Sequence, residues 1–372
     1  ARFRRVLVVF QFVLSVFLII GTIVVSQQLH YLKNKDLGWD KDHLFYVALR
    51  GGIKDSYQGI KTELKKNPRV LGVTGSMQIP SSLSSNSAGI EWDGKDPNFS
   101  ILVGFNGVDY DFANTLRIEM VEGRSFSEEF PGDVKKNFVI NEELARVMKK
   151  KPAVGERLDF QDFKGQVVGV MKDFHYQSTA LKIEPMAFML SLDHVNYMLV
   201  RVAPEKLSST MDEIAATWKE VIPNYPFEYH FLDEVFDRMF RSSRRMEKIM
   251  RSFAMLTIFI ACLGLFGLAS FAVEQRTKEI GIRKILGASV SRITLLLCRE
   301  FFLLVLLAAV ISWPISYFVM NNWLQDFTYR IPLSPFYFIL ALAMALGIAV
   351  LSVTFQAVRA ALANPVDSLK YE

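Results

Sequence analysis

Cysteine is nearly absent. Two residues, Cys262 and Cys298, in a chain of 372 exclude a secreted disulfide scaffold. Both stand in or beside long apolar runs, a setting that does not favour a reactive thiolate. The five histidines are scattered at positions 30, 43, 175, 194 and 230, without HExxH or Cys/His ligand spacing, so no metal site is written. Lys172, Asp173, Phe174 and His175 place an acid and an imidazole two apart, which reads as a structural or surface feature rather than a catalytic pair. A glycine-rich phosphate cradle is missing as well. The one Gly-Lys pair, Gly94-Lys95, is followed by Asp96 rather than Ser or Thr, so the chain encodes no ATP site, no catalytic residues and no cofactor site of its own. No basic patch interleaved with aromatics stands in the polar part, which argues against nucleic acid as a partner. At 51% hydrophobic residues the chain is not disordered.

Charge is absent from four long stretches. Residues 6–25, 253–273, 301–319 and 336–353 contain no Asp, Glu, Lys or Arg. Each is long enough, at 1.5 Å per residue, to cross a hydrocarbon core about 30 Å thick. Orientation follows from short loops, because Lys and Arg resist translocation. Residues 274–292 hold Arg276, Lys278, Arg283, Lys284 and Arg292, whereas 320–335 hold Arg330 alone. The first loop is therefore expected in the cytoplasm with both chain ends, next to Arg2, Arg4 and Arg5, and residues 26–251 outside. Arg241, Arg244, Arg245, Lys248 and Arg251 run against this scheme, but long translocated domains follow the rule weakly. The opening at Ala1 is expected to make the chain a piece of something longer.

The outer segment reads as a mixed α/β domain. Short β-rich runs at 44–49, 70–74, 101–105, 167–170 and 197–202 alternate with helical patterns at 56–66, 141–150 and 205–221. Residues 80–87 (PSSLSSNS) read as a loop. The fold class is thus a membrane protein with four transmembrane α-helices and a large mixed α/β (α+β) domain inserted between helices 1 and 2. Its parts are a first transmembrane helix at 1–25, an outer domain at 26–251 and a transmembrane domain at 252–372.

Stalks are expected where the outer domain meets the membrane. No Gly or Pro interrupts 26–35, so the first helix should continue outward. At 232–251, Val235, Met239, Ser242, Met246, Ile249 and Phe253 recur at steps of four and three, a coiled-coil seam on a second stalk. Inside the second span, Ala261, Gly264, Gly267 and Ser270 recur every three residues and form a small-residue ridge for helix packing. Pro314 should kink or weaken the third span.

The segment between spans two and three is the most specific. It reads EQRTKEIGIRKILGA from position 274, with Ile282, Ile285, Leu286, Ile293, Leu296 and Leu297 on one helical face and Lys284 opposite. That is an amphipathic surface helix, which could also simply hold anionic lipid headgroups. It resembles the cytoplasmic motif of the FtsX-like, MacB-type ABC-transporter permeases, whose short helix docks on an ATPase. Residues 5–37, VGVMKDFH at 168–175 and NPVDSLKYE at 364–372 resemble the same permeases from Bacteroidetes-type bacteria. Many of those chains have two such halves, and this sequence is similar to the second.

The resemblance implies a permease subunit of an ABC transporter in the bacterial inner membrane, with a periplasmic domain. A partner ATPase would bind ATP and Mg and drive efflux, lipoprotein export or control of an envelope protein. By motif position Glu279, Ile282, Arg283, Lys284, Leu286 and Gly287 are the coupling residues. Partners implied are that ATPase, the other permease half or a second copy, membrane lipid, and a periplasmic adaptor or substrate protein. The rival reading is a membrane sensor whose outer domain binds a ligand. Such a sensor needs a cytoplasmic output module, for which the 19 residues after span four are too short. The charge divides to match: residues 26–251 hold 31 basic and 32 acidic side chains, so the net +5 of the chain belongs to its membrane part.

Overall fold

The computed structural model of the chain describes residues 2–80, 86–160, 163–177, 181–275 and 290–362. Contacts divide the chain into two units, Asn34–Arg241 and the combination of Ala1–Lys33 with Ser242–Glu372. Helix α1 (Arg2–Lys33) is unbroken. It passes the end of the apolar run at Val25 by eight residues, about 12 Å, as the lack of helix breakers predicts.

The Asn34–Arg241 unit is a sheet with helices on both faces. Its strands are β1 (Leu44–Ala48), β2 (Val70–Ser76), β3 (Asn86–Ser87), β4 (Ile90–Trp92), β5 (Val103–Val108), β6 (Met120–Gly123), β7 (Phe138–Asn141), β8 (Arg157–Phe160), β9 (Phe163–Met171), β10 (Met186–Leu190), β11 (Tyr197–Val202) and β12 (Tyr229–Phe231). The order is β12-β1-β11-β2-β5-β10-β7-β9-β8-β4, with β3 on β5 and β6 on β9. Pairing is parallel between β5 and β10 and between β7 and β9. The helices are α2 (Tyr57–Leu64), α3 (Phe112–Leu116), α4 (Glu142–Met148), α5 (Leu207–Val221) and α6 (Leu232–Met239).

Strand alternation sends the side chains of β1 to two cores. Phe45 and Val47 pack with Val200, Ile60, Leu64, Ile214 and Trp218 on the side of α2 and α5. Leu44 packs with Leu199, Phe112, Leu116, Leu232 and Phe236 on the side of α3 and α6. Every strand and helix expected from the outer sequence is present, with ends shifted by a few residues. The strands β7 and β10 had no alternation to reveal them, because all their residues are buried. A buried charge cluster locks α2 to the strand end after β5. Lys61 lies 2.5 Å from Asp109 and 2.9 Å from Asp111, and the Tyr57 hydroxyl donates to Asp109.

The second unit contains α1 with α7 (Arg241–Gln275), α8 (Val290–Gln325) and α9 (Pro335–Leu362). All four are long and apolar enough to cross a membrane, and they contain the four expected runs. Val16, Ile20 and Val24 of α1 are buried with Val305 and Ala308 of α8 and Ala341, Ala345 and Ala349 of α9. Alanine on α9 recurs every fourth residue there, which allows close approach of the helices. Pro314 lies inside α8 without ending it.

Candidate functional site

The six residues expected to couple to an ATPase, Glu279, Ile282, Arg283, Lys284, Leu286 and Gly287, lie outside the described residues. So does most of 274–292. The stalk and packing residues are described. The stretch 232–251 is two helices rather than one, α6 and α7, interrupted at Phe240 (φ −90°, ψ 5°). Leu232, Phe236 and Phe240 are buried at every fourth position, whereas Arg241 and Ser242 are exposed. The seam divides at the same place. Val235 and Met239 are half-buried on α6, but Met246, Ile249 and Phe253 are 37%, 50% and 55% exposed on α7.

On α7 the buried row follows steps of four, Ala261, Leu265 and Ala269, in one cluster with Val8 and Phe12 of α1. Gly264 adjoins that row: a methyl group there would stand 2.6 Å from Gln11 Oε1 and 3.4 Å from Val8. Gly267 has nothing comparable around it. The Ser270 hydroxyl donates to the Phe266 carbonyl within its own helix. Of the expected ridge, Gly264 stands against Gln11 and Val8 of α1, and Ala261 is buried in the same cluster.

Two further side chains not singled out in the sequence, Gln28 and Arg201, together with the VGVMKDFH stretch fix the ends of the membrane helices and the entrance to the domain. Gln28 is fully buried near the outer end of α1. Its Nε2 donates to the Tyr329 carbonyl (2.8 Å) and its Oε1 accepts from the Ile331 N–H (2.9 Å). A single amide thereby satisfies the backbone of the loop between α8 and α9, as a neighbouring strand would. The bond also puts that loop on the same side as the outer end of α1, in agreement with the charge-based orientation. The available signal was a glutamine pair, Gln27-Gln28, at the edge of an apolar run. Gln28→Leu should remove both of these part-buried bonds, at about 0.5–1.5 kcal/mol each. We expect a lower melting temperature and faster protease cleavage within 326–334; unchanged cleavage would remove the brace from consideration.

At the start of the domain, the segment after α1 is clasped by the VGVMKDFH stretch. Gly38, at φ +77°, passes so close that a Cβ would lie 2.6 Å from the Asp173 carbonyl oxygen. Leu37 accepts from the His175 N–H, and the Trp39 indole donates to the His175 carbonyl (2.8 Å). Asp173 accepts from the Glu143 N–H at the start of α4 (2.9 Å), beside the Asn141 cap, which accepts from Leu144 N–H. Phe174 is in the core. The backbone of Asp173 and His175 thus forms the clasp, and the Asp173 carboxylate holds the start of α4. Burial, with nearby Lys35, holds the His175 imidazole down to about 4, against the gain from Asp36. Because the unfolded chain takes up that proton first, stability is whole above about pH 6.5 and falls as pH drops toward 4, by at most about 3 kcal/mol. Urea titrations at pH 7 and pH 4.5 check this, and His175→Gln should flatten the difference.

Arg201, 3% exposed on β11, holds the other side of the entrance. Its guanidinium donates to the Thr115 carbonyl (2.6 Å), the Asp42 carbonyl (2.8 Å) and the Asp40 carbonyl, and lies 3.1 Å from Asp40 Oδ2. Thr115 lies in the last turn of α3, so the cation also satisfies a helix C-terminus. An arginine inside the apolar run YMLVRV was the sequence signal. Among the described residues, no group of three His, Cys, Asp or Glu side chains is arranged to hold a metal ion.

Comparison with known proteins matches two successive parts of the chain. A model of the MacB-like periplasmic core domain matches residues 6–217, and one of the FtsX-like permease C-terminal region matches residues 251–365. A relative from Chromobacterium violaceum, named macrolide export ATP-binding/permease protein MacB, is 24% identical over 332 residues, covering 86% of this chain and 50% of its own length. The Bartonella quintana protein of that name is 23% identical over 243 residues, 62% of this chain and 35% of the relative. The chain spans half or less of the length of these relatives. The crystal structure of the periplasmic region of MacB from Actinobacillus actinomycetemcomitans is similar at 12% identity with a TM-score of 0.39, over 55% of this chain and 95% of that one. With its core domain set between the first two of four spans and an FtsX-like C-terminal region after it, the chain belongs to the MacB/FtsX family of inner-membrane permeases.

Proposed function

We propose that the chain is the membrane-spanning part of an ABC transporter that works with a separate or fused ATPase and turns ATP hydrolysis into motion of its periplasmic domain. The observation that carries this reading is the succession of a MacB-like core domain and an FtsX-like C-terminal region over nearly the whole chain. In this reading Glu279, Arg283 and Lys284 meet the ATPase, and closure of two ATPase subunits pulls on the segment they belong to. The outward extension of α1 and the α6–α7 stretch carry the motion to the domain, where the work is done on a periplasmic substrate or envelope protein. The entrance clasp and the Gln28 brace fit such a role, because motion passes through α1 only if its outer end is held. A second permease half or copy completes the membrane path.

Copurification of the native full-length protein from its own membranes tests the proposal. An ABC ATPase retained with it, whose hydrolysis rate changes on binding, is the expected result. Retention of a kinase, or of no ATPase at native expression, overturns it.

A further inference from the structure

The edge of the sheet formed by β12, β1 and β11 carries a cleft of about 280 Å³ lined by Tyr46, Arg50, Tyr197, Tyr225, Glu228 and His230. Its walls are aromatic. The Tyr46 ring lies edge-on to Tyr197 at 5.6 Å and tilted against His230 at 5.4 Å. Tyr225 is fixed at the mouth, where its hydroxyl accepts from the Gly52 N–H (3.2 Å). Strand pairing sets the charges. Val47 pairs with Tyr229 in the antiparallel β1–β12 ladder, so Arg50 and Glu228 stand at the same end of it, on neighbouring strands.

Both charges are exposed, and neither is matched in the way that Lys135–Asp193 and Lys172–Glu119 are. Among the described residues, neither Arg50 nor Glu228 has an ion pair or a side-chain hydrogen bond, and the Tyr46 and Tyr197 hydroxyls and the His230 ring have no hydrogen-bond partner either. Opposite charges that are neighbours yet do not pair, at the rim of an aromatic cleft, leave room for a ligand that carries both complementary charges and a ring. At 280 Å³ the cleft is just below the range of about 300–1,000 Å³ for small-molecule sites. That suits an amino acid or a dipeptide.

We propose that this cleft binds an aromatic amino acid or a short peptide with an aromatic side chain, recognised as a zwitterion. The Arg50 guanidinium takes the carboxylate in a two-pronged hydrogen bond. Glu228 accepts from the ammonium group, and the rings of Tyr46, Tyr197 and Tyr225 hold the aromatic side chain at edge-to-face distances. The site does not depend on the ATPase, and its test is made without one.

Full-length protein in detergent is titrated calorimetrically with L-phenylalanine, with the dipeptide Phe-Phe, and with N-acetyl-phenylalanine amide, which has the ring but neither charge. Saturable binding of either charged probe is expected, with the capped probe weaker by roughly tenfold or more. The tighter of the two charged probes decides between a free amino acid and a peptide. Arg50→Gln and Glu228→Gln should each weaken binding by roughly tenfold. Both residues are exposed, so the variants retain the fold, and an unchanged melting temperature verifies it. No saturable binding of either charged probe, equal binding of the capped probe, or unchanged affinity in both variants overturns the proposal.

Discussion

Arg201→Met should lower the melting temperature of the periplasmic domain by about 10 °C or more. The guanidinium is the donor for three carbonyl oxygens, on Thr115, Asp42 and Asp40, and methionine supplies none of those bonds. Leaving the buried Thr115 acceptor unpaired costs about 1–3 kcal/mol, and losing the two part-buried bonds about 0.5–1.5 kcal/mol each. Removing the charge also returns its desolvation cost, so we take about 4 kcal/mol as the net. For a domain of this size 1 kcal/mol corresponds to roughly 2–4 °C. Arg201→Lys keeps the charge but has one nitrogen for three diverging acceptors, and should recover less than half of the loss. Melts of the full chain followed by fluorescence of the buried Trp39 and Trp218 provide the measurement. A shift of Arg201→Met within about 2 °C of the parent protein, less than 1 kcal/mol on the same scale, would show that the entrance is held without it.

Reversal of Arg283 and Lys284 to Glu should abolish coupling to the ATPase while the protein still inserts in the membrane. Two reversals change the local charge by four units, and like charges set against one another at a docked surface cost several kcal/mol. Roughly 3 kcal/mol is already more than a hundredfold in affinity. Insertion should survive, because the four spans keep their apolar runs and residues 274–292 still hold Arg276, Lys278 and Arg292. The measurement is ATPase stimulation by the reconstituted permease, with membrane extraction as the control. Normal stimulation in the double variant would move the contact elsewhere on the cytoplasmic face.

The spans were legible because the signal is local: eighteen or more residues without a charge suffice. The strands at 44–49 and 197–202 and the helix at 205–221 were legible through periodicity. What brings them together was not. Phe45 pairs with both Val200 and Phe231, and nothing within a window of a dozen residues reports such partners. The interruption at Phe240 escaped for a different reason. Steps of three and four describe where side chains recur, and they run across a backbone break unchanged. Gln28 and Arg201 escaped because their partners are backbone atoms, which have no sequence identity to match. The coupling residues rest on the sequence motif, since they lie outside the described residues.

The position of β1 in the sheet has a consequence for biosynthesis. Its partners on both sides, β11 and β12, come about 150 residues or more later in the chain. At a synthesis rate of about 5–20 residues per second, β1 emerges outside and waits roughly 8–30 s before a neighbour exists. During that time LFYVA is an unpaired, apolar segment tethered to the membrane by α1, the kind of strand that aggregates. The order of translation therefore makes a periplasmic holding chaperone most useful early, before Tyr197 has crossed, and the β1 end of the sheet closes last.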